Sequence, residues 1–207
     1  MKAWHFVGDE LRNGIPIPAD GEWLVHEGEL IMCESGLHAS RKIIDALIYA
    51  SGSTICRVEV NGKIIEDHDK VVAEKRKILW RIDGNKVLPA FARWGVLQVI
   101  RNAPNVVGEW LKTGNEELRA ESENVIMTIH WETRLRIWKM LKDAIWANDV
   151  SRPEPWATVG NVASYVAMEM AWAKGWSVQN EQLKLMVREA RNGKTEWVFD
   201  IPTKESK

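Results

Sequence analysis

Residues 54–66 read Thr-Ile-Cys-Arg-Val-Glu-Val-Asn-Gly-Lys-Ile-Ile-Glu, and this stretch decides the fold class of the N-terminal half. Apolar and polar residues alternate up to Val60, which is the pattern of a half-buried strand. An Asn-Gly pair between two strand-like runs is typical of a tight β-hairpin. The stretch therefore predicts two antiparallel strands, residues 54–60 and 63–66, joined at the Asn-Gly pair.

Further strand-like runs flank this stretch, at residues 2–8, 22–26, 30–33 and 77–82. The Glu-Gly-Glu sequence between the second and third of these runs predicts a hairpin. One helix interrupts the pattern, because apolar residues recur at helical spacing over about residues 41–50. Ser40, just before that helix, suits an N-cap. The N-terminal part is thus predicted to be mostly antiparallel β-structure with one helix.

The hydrophobic period changes from two to 3.6 residues near residue 86. Helices are predicted over residues 89–101, 106–113, 156–174 and a last segment ending at Gly193. Between them, six large apolar residues fall on one face of a predicted helix: Met127, Trp131, Leu135, Trp138, Leu141 and Ile145. The helix over 156–174 is the expected partner of that face. The sequence predicts an α+β fold, with a β-rich module at 1–86 and an α-helical, Trp-rich module at 87–207; whether the two share one core stays open.

Composition excludes several classes of protein. The chain has 207 residues, 45% of them hydrophobic and 28% charged, which is ordinary globular composition. The net charge is −1 and lacks the positive surplus that gives affinity for phosphate backbones, so no nucleic-acid partner is expected. The N-terminus becomes charged before an apolar run develops, and the most apolar stretch, 159–173, contains polar residues. We expect no signal peptide, no membrane partner and a cytoplasmic location.

Familiar catalytic and metal-binding signatures are missing from the sequence. It contains no phosphate-binding Gly-rich loop, no Cys-x-x-Cys and no His-Glu-x-x-His. Cys33 and His38 could begin a metal site with a further histidine, but structural zinc sites have closely paired ligands, so no metal is predicted. Cys33 and Cys56, the two cysteines, fit a reducing compartment. No cofactor is predicted from the residues.

The segment Cys33-Glu-Ser-Gly-Leu-His-Ala-Ser40 is the most distinctive candidate binding site. A glycine turn, an imidazole and a hydroxyl would converge at a helix N-terminus, where backbone N–H groups receive anions. Gly36, His38, Ser40 and Arg41 are the predicted ligand-binding residues of this segment. The same residue types also suit a strand-to-helix turn without any ligand.

Tryptophan is unusually abundant, with twelve residues beside three phenylalanines and two tyrosines. Such usage indicates either bulky core packing or flat surfaces that stack on a base or a protein partner. Trp4 and Trp23 are the predicted stacking residues for a nucleotide base, and His5, next to Trp4, is a further predicted ligand-binding residue. The Trp-rich helices also lead us to expect a possible homo-oligomer.

The N-terminal 85 residues resemble an uncharacterised family of small proteins of tailed bacteriophages and prophages. The resemblance rests on Trp4-His5-Phe6, Gly8, Pro16-Ile17-Pro18, Cys33-x-x-Gly-Leu-His-Ala-Ser40, Tyr49, Val58-Glu59-Val60, Gly62 and Asp69-Lys70-x-Val72-Ala73. It continues more weakly to Gly114, and many relatives are alanine-rich where this chain carries large side chains. The resemblance implies a phage origin and assigns no activity to the protein.

A fainter similarity links the same half to ADP-ribosyltransferases. Trp4-His5, followed by Gly36-Leu-His-Ala-Ser40, loosely follows the order of their NAD-binding half. The similarity implies that His5 would position NAD, with Glu59 the candidate catalytic carboxylate beside Glu66 and Glu74. The family's catalytic glutamate has no clear counterpart in this sequence.

These observations favour a bacteriophage accessory protein that acts by binding in the host-cell cytoplasm. Its expected role is counter-defence, either by sequestering a small nucleotide immune signal or by blocking a host immune protein. The alternatives are an ADP-ribosyltransferase-like enzyme that uses NAD, and a structural or virion-associated assembly protein. A binding protein would need no catalytic residue of its own.

Overall fold

The computed structural model describes residues 1–11, 14–101, 103–128, 135–149 and 155–200. The chain divides into two compact units, Met1–Asn85 and Lys86–Lys207. The first unit is a five-stranded antiparallel sheet with one helix and the second is helical, so the predicted α+β fold is confirmed.

The first unit contains six elements in chain order. They are β1 (Lys2–Val7), β2 (Trp23–Val25), β3 (Leu37–Ala39), α1 (Ile43–Ile48), β4 (Thr54–Glu66) and β5 (Val71–Asp83). The strand order is β1-β4-β5-β2, and β3 also pairs with β5. β2 and β3 pair with successive parts of β5, at Lys75–Lys77 and Val71–Ala73.

The Asn-Gly pair does not form the hairpin predicted for it. β4 continues through Asn61 and Gly62 as one strand, and the ladder with β5 is irregular there, as at a β-bulge. Gly62 supplies the positive φ of 76° that this irregularity requires. The chain reverses later, where the N–H of Asp67 donates to the carbonyl of Lys70 across 2.9 Å. A bulge and a turn use the same residue types, so the local sequence does not separate them.

The second predicted hairpin is also wrong. Residues 30–33 do not form a strand; Ile31 makes only an isolated bridge with Ser35, and β2 pairs with β5. The strand of this region is β3, which lies within the segment predicted to be a turn. The predicted strand at 77–82 is correct in type but begins earlier, at Val71.

Backbone hydrogen bonds connect β1 to the end of β3. The N–H of Trp4 donates to the carbonyl of Ser40 at 2.7 Å, and the N–H of Ser40 donates back at 2.9 Å. Since β1 also pairs with β4, this bridge brings the two margins of the sheet together. Ser40 is therefore not the N-cap of α1: the cap position is Lys42, without a side-chain capping bond.

Alternation along β1 and β4 defines what we call the inner face of the sheet. Register places Ala3 opposite Val58 and His5 opposite Cys56, so these four residues share that face. Ala3, Val58 and Cys56 are fully buried. The opposite face of β1 carries Trp4 and Phe6, which are buried as well, and β1 also contacts α1.

The second unit is built from six helices within the described residues. They are α2 (Val87–Val99), α3 (Asn105–Thr113), α4 (Glu116–Thr128), α5 (Leu135–Ala147), α6 (Pro155–Glu169) and α7 (Trp172–Arg191). α6 packs against α2, α5 and α7. In the described part of the chain, none of the helices combines the length and apolar character that crossing a bilayer needs.

The predicted six-residue apolar face does not lie on one helix. The indole N–H of Trp138 in α5 donates to the carbonyl of Ile126 in α4 across 3.2 Å. Twelve residues of continuous helix would put these residues about 18 Å apart, so α4 and α5 must fold back on each other. Met127 is accordingly 60% exposed, while Leu141 and Ile145 are buried in α5, which packs against α6 as expected. Trp131 lies outside the described residues.

Two helix ends also differ from the sequence prediction. The predicted helix over 156–174 is broken at Ala171, whose φ is 60°. Gly175, the predicted stop, lies inside α7, where a Cβ atom would come within 2.8 Å of the Cα of Ala167. Trp197 is not in a strand, but it is buried and its indole N–H donates to Glu189 across 2.7 Å.

Candidate anion-binding site

Arg76 is a buried cation on the inner face of the sheet. Register places it opposite Val60, a fully buried core residue, and its own side chain is 7% exposed. Its Nη1 donates to the carbonyl of His38 across 2.5 Å. No carboxylate among the described residues pairs with it. Loss of water around the guanidinium lowers the pKa of Arg76 to about 10.

An unpaired buried charge is expensive for the folded protein. Removing an ion from water costs several kcal/mol unless a counter-ion or well-placed hydrogen bonds replace the water. One carbonyl oxygen replaces only part of the hydration of Arg76. A guanidinium has five N–H donors in a planar fork that matches carboxylate and phosphate oxygens. The site therefore has the charge and the donors that an anion requires.

His5 is on the same inner face, and it is near enough to Arg76 for the charge of the guanidinium to act on its ring. The pKa of His5 is well below its usual value, first because the ring is removed from water, and then because the positive charge of Arg76 opposes protonation. The imidazole is therefore neutral at pH 7. Its ring forms no hydrogen bond to any residue in the described ranges, and it remains partly accessible. His5 can thus donate or accept one hydrogen bond with an incoming group.

His38 fixes the segment between Cys33 and β3. Its Nε2 accepts the backbone N–H of Cys33 at 3.0 Å, and its Nδ1 lies 3.2 Å from the carbonyl of Gly36. A carbonyl only accepts, so these partners assign the proton to Nδ1. Both ring nitrogens are used within the protein, and the carbonyl of His38 receives Arg76. We therefore see His38 as a positioning residue for Arg76.

Gly36 and Ser40 have structural roles in the same segment. Gly36 has a φ of 116°, and a Cβ atom there would lie 2.4 Å from Cγ2 of Val72. Ser40 is buried, and its backbone is paired with Trp4. The helix N-terminus predicted directly after Ser40 lies further along the chain, because α1 begins only at Ile43 and has six residues.

The other predicted ligand-binding residues lie apart from His5. Trp4 points to the opposite face, where its ring packs edge-on against Trp80 at 5.7 Å and under Arg57 at 4.6 Å. Trp23 is 38% exposed on β2, with the ammonium of Lys77 over its ring. Arg41 is exposed and pairs with Glu66 at 2.6 Å. The structure thus brings together His5 and His38 from the predicted set.

The residues predicted for a transferase do not converge either. Glu59 pairs in register with Lys2 and lies three positions from Cys56, the partner of His5. An odd separation along a regular strand puts Glu59 and His5 on opposite faces. The Glu59 carboxylate instead binds the ammonium of Lys77 at 3.0 Å, and that bond is the main reason its pKa is lowered.

Arg76 itself was missed from the sequence. It lies in the run Lys75-Arg76-Lys77, which looks like a solvated charged stretch when the strand is started at residue 77. Extending the alternation back from Ile78 would have placed Arg76 on the buried side. Ile78 was the residue from which this alternation could be extended, and the structure shows it buried opposite Val58. Within the described ranges, no group of three or more His, Cys, Asp or Glu side chains is placed to hold a metal ion.

Comparison with known proteins gives a family match for the first unit. Residues 1–90 match the model of a family described as a domain of unknown function (DUF7666). The match covers the whole sheet, including β1, β3 and β5, and reaches the start of α2. No curated protein and no solved structure matches the chain. Arg76, His5 and His38 all fall within the matched residues.

Proposed function

We propose that this protein binds a small anionic ligand of the nucleotide class at Arg76 and His5. The observation that carries the proposal is the buried guanidinium of Arg76, which has no carboxylate partner among the described residues. A phosphate group would supply the missing negative charge. It would also accept the N–H groups of Arg76 that His38 leaves unused.

His5 gives this site a proton-linked component. A bound anion next to the imidazole would favour its protonated form, opposing the desolvation that keeps it neutral in the free protein. Ligand binding would then take up a proton, and affinity would rise as the pH falls below neutrality. Such coupling is absent from a site that relies on Arg76 alone, because arginine remains charged over this range.

The biological setting that we propose is bacteriophage counter-defence in the host-cell cytoplasm. The resemblance of residues 1–85 to tailed-phage proteins supports the phage origin. The separation of His5 from Glu59 supports action by binding over group transfer. A protein of this kind would sequester a nucleotide immune signal in stoichiometric amounts. In the second form of the proposal, the protein binds a host immune protein and blocks it.

Thermal stabilisation by candidate ligands tests the binding site. Purified protein is melted with inorganic phosphate, AMP, a cyclic dinucleotide or NAD, at several concentrations of each. A ligand that binds the folded state stabilises it by RT ln(1 + [L]/Kd), about 2.7 kcal/mol at a hundredfold excess over Kd. We expect at least one phosphate-bearing compound to raise Tm and to be recovered intact.

Two variants test whether the stabilisation arises from binding at Arg76. Arg76→Gln should lose the stabilisation, and Arg41→Gln, which removes an exposed arginine already paired with Glu66, should keep it. Equal stabilisation of wild type and Arg76→Gln would disprove the site. Consumption of NAD with release of nicotinamide would replace the binding function with the transferase.

A further inference from the structure

The inner face that carries the proposed anion site is largely shielded from water. Arg76 is buried, and Cys56, which pairs in register with His5, is fully buried. A phosphate group reaches a buried guanidinium only if part of the chain moves away, as the lids of many binding sites do. Entry of a ligand therefore requires a segment that covers the inner face and separates from it at low cost.

Residues 9–11 and 14–20 lie against the inner face, and we call them the flap. Leu11 and Ile17, both half-buried, pack against the cluster of buried inner-face residues to which Cys56 belongs. A backbone hydrogen bond of 2.8 Å joins the two parts of the flap. The described residues of the flap include no helix and no strand longer than an isolated bridge. The flap is thus an apolar cover that is not built into the sheet.

Arg81 fastens the flap to strand β5. Register places Arg81 opposite Cys56, so Arg81, Cys56 and His5 form one row across three strands of the inner face. The Nε and Nη2 of Arg81 lie 2.7 and 2.6 Å from Oδ1 of Asp20. Nη2 also donates to the carbonyl of Pro18 at 2.7 Å. The side chains of Arg81 and Asp20 are 30% and 45% exposed, and ion pairs with this exposure are weak because water and salt screen them.

Gly21 provides a hinge where the flap ends. Its N–H donates to the carbonyl of Ile78 at 2.7 Å, so this point of the chain is fixed to the sheet. Its φ of 88° lies in the region that favours glycine, and a Cβ atom there would meet no other atom within 4 Å. Gly21 therefore has the backbone freedom and the space that a hinge requires.

Given the anion site proposed above, on which this inference rests, we propose that the flap opens to admit the ligand to the inner face. The ion pair of Arg81 with Asp20 is the latch that holds the flap closed. Opening breaks the latch and separates Leu11 and Ile17 from the inner face, but it leaves the pairing of β1, β4 and β5 intact. The strength of the latch therefore sets how often the site is accessible.

Alkylation of Cys56 by iodoacetamide measures this opening without any ligand. Cys56 is fully buried on the inner face, whereas Cys33 is exposed and serves as the internal reference. The reduced, folded chain is labelled at urea concentrations below the unfolding transition, and each thiol is followed by peptide mapping. Local opening exposes little surface, so the rate at Cys56 should hardly change with urea. Global unfolding would make that rate rise steeply with urea.

Variants of the latch test its role in opening. Arg81→Gln and Asp20→Asn should each raise the rate at Cys56 about fivefold, the effect of losing one partly exposed ion pair. The double variant should show little further increase, because both changes remove the same contact. Lys77→Gln is the matched control, since it removes an ion pair of similar exposure, with Glu59, from the other face of β5. Its rate should equal that of the wild type.

Two results would overturn the proposal. One is a rate at Cys56 that rises with urea as steeply as global unfolding does, because the flap would then not open by itself. The other is an unchanged rate in both latch variants.

Inorganic phosphate connects the opening to the ligand. Phosphate bound beneath the closed flap should slow the alkylation of Cys56 relative to chloride at the same ionic strength, and Arg76→Gln should lose this protection. Phosphate that raises Tm without slowing alkylation would show entry by another route and overturn the role of the flap. Local opening in a protein that no phosphate compound stabilises would instead disprove the anion site, so the two proposals fail in different ways.

Discussion

The guanidinium of Arg76 and the carbonyl of His38 are joined by a 2.5 Å hydrogen bond between strands β5 and β3. The bond links the one buried cation of the described inner face to the segment that His38 holds in place. Our proposal attributes the burial of this costly charge to a ligand, and the alternative is that Arg76 contributes to stability.

Replacing Arg76 by methionine should separate these two explanations. The variant removes an uncompensated buried charge but leaves the carbonyl of His38 without its donor, and these effects oppose each other. We expect the free energy of unfolding to change by less than about 2 kcal/mol, as measured by urea denaturation, while stabilisation by phosphate ligands is lost. A loss of stability well above that range would instead make Arg76 a structural residue.

Acidification should destabilise the protein through His5. Its pKa is lowered in the folded state, so below about pH 6.5, the value for an unperturbed histidine, the unfolded chain binds more protons than the folded one. Stability is therefore complete above that pH and declines as the pH falls towards the folded-state pKa, by at most about 1.4 kcal/mol per pH unit. Urea denaturation between pH 5 and pH 8 measures this slope. His5→Gln should flatten it, and His68→Gln, in the exposed turn between β4 and β5, should not.

Gly36→Ala should lower the free energy of unfolding far more than Gly21→Ala. Both glycines have positive φ, 116° and 88°, but a Cβ atom at Gly36 would lie 2.4 Å from Val72, whereas Gly21 has no atom within 4 Å. At Gly21 only the backbone conformation is strained by the substitution, so we expect the free energy of unfolding to fall by about 1–2 kcal/mol. The added packing clash at Gly36 should bring its loss to about 3 kcal/mol or more. Equal losses, measured by thermal or urea unfolding, would mean that the segment next to β3 yields to the extra methyl group.

Replacement of a buried tryptophan should cost much more stability than replacement of an exposed one. Trp110 is fully buried, so Trp110→Ala should cost about 3–5 kcal/mol. Trp172 is 51% exposed and stacks on Trp176 with ring centres 5.4 Å apart, so Trp172→Ala should cost less than about 1.5 kcal/mol. Urea denaturation of both variants measures these costs. Similar losses for the two would contradict the burial that separates them.

The predicted homo-oligomer can be examined with the same stacked pair, Trp172 and Trp176. If Trp172 and Trp176 lie between subunits, the wild-type Tm should rise with protein concentration, and Trp172→Ala should remove that dependence. A wild-type Tm that is constant over a hundredfold range of concentration would leave the protein monomeric. Trp110→Ala serves as the control, because it should lower Tm without changing the concentration dependence.

Hydrophobic periodicity was sufficient for the fold class and for most of the elements. It placed β1, the alternating part of β4, and the start and end of α3 within one or two residues, because burial on one side leaves a local pattern. The prediction failed where one local sequence is compatible with two kinds of backbone structure. The Asn-Gly pair suits a bulge as well as a hairpin, and only the pairing of β4 with β5 distinguishes them.

The site was harder to predict because it depends on register between distant strands. His5 and His38 were chosen from their local surroundings, but Arg76 joins them only through the pairing of β4 with β5 and of β3 with β5. A single sequence contains the alternation of each strand and not the offset between strands. The apolar face over residues 127–145 failed for a related reason, since a periodic pattern does not show where a helix ends and turns back.

The pairing of β1 with β4 has a consequence for how the chain reaches this structure. Arg57 donates to the carbonyl of Ala3, although 54 positions separate them. The β4–β5 hairpin closes over a four-residue turn and can form early, whereas β1 must wait until β4 has been made. During synthesis on the ribosome, β1 would remain without its neighbour until the hairpin has emerged. Slow addition of this strand, which carries His5, would then be the step at which the proposed binding site is completed and at which a chaperone could still hold the chain.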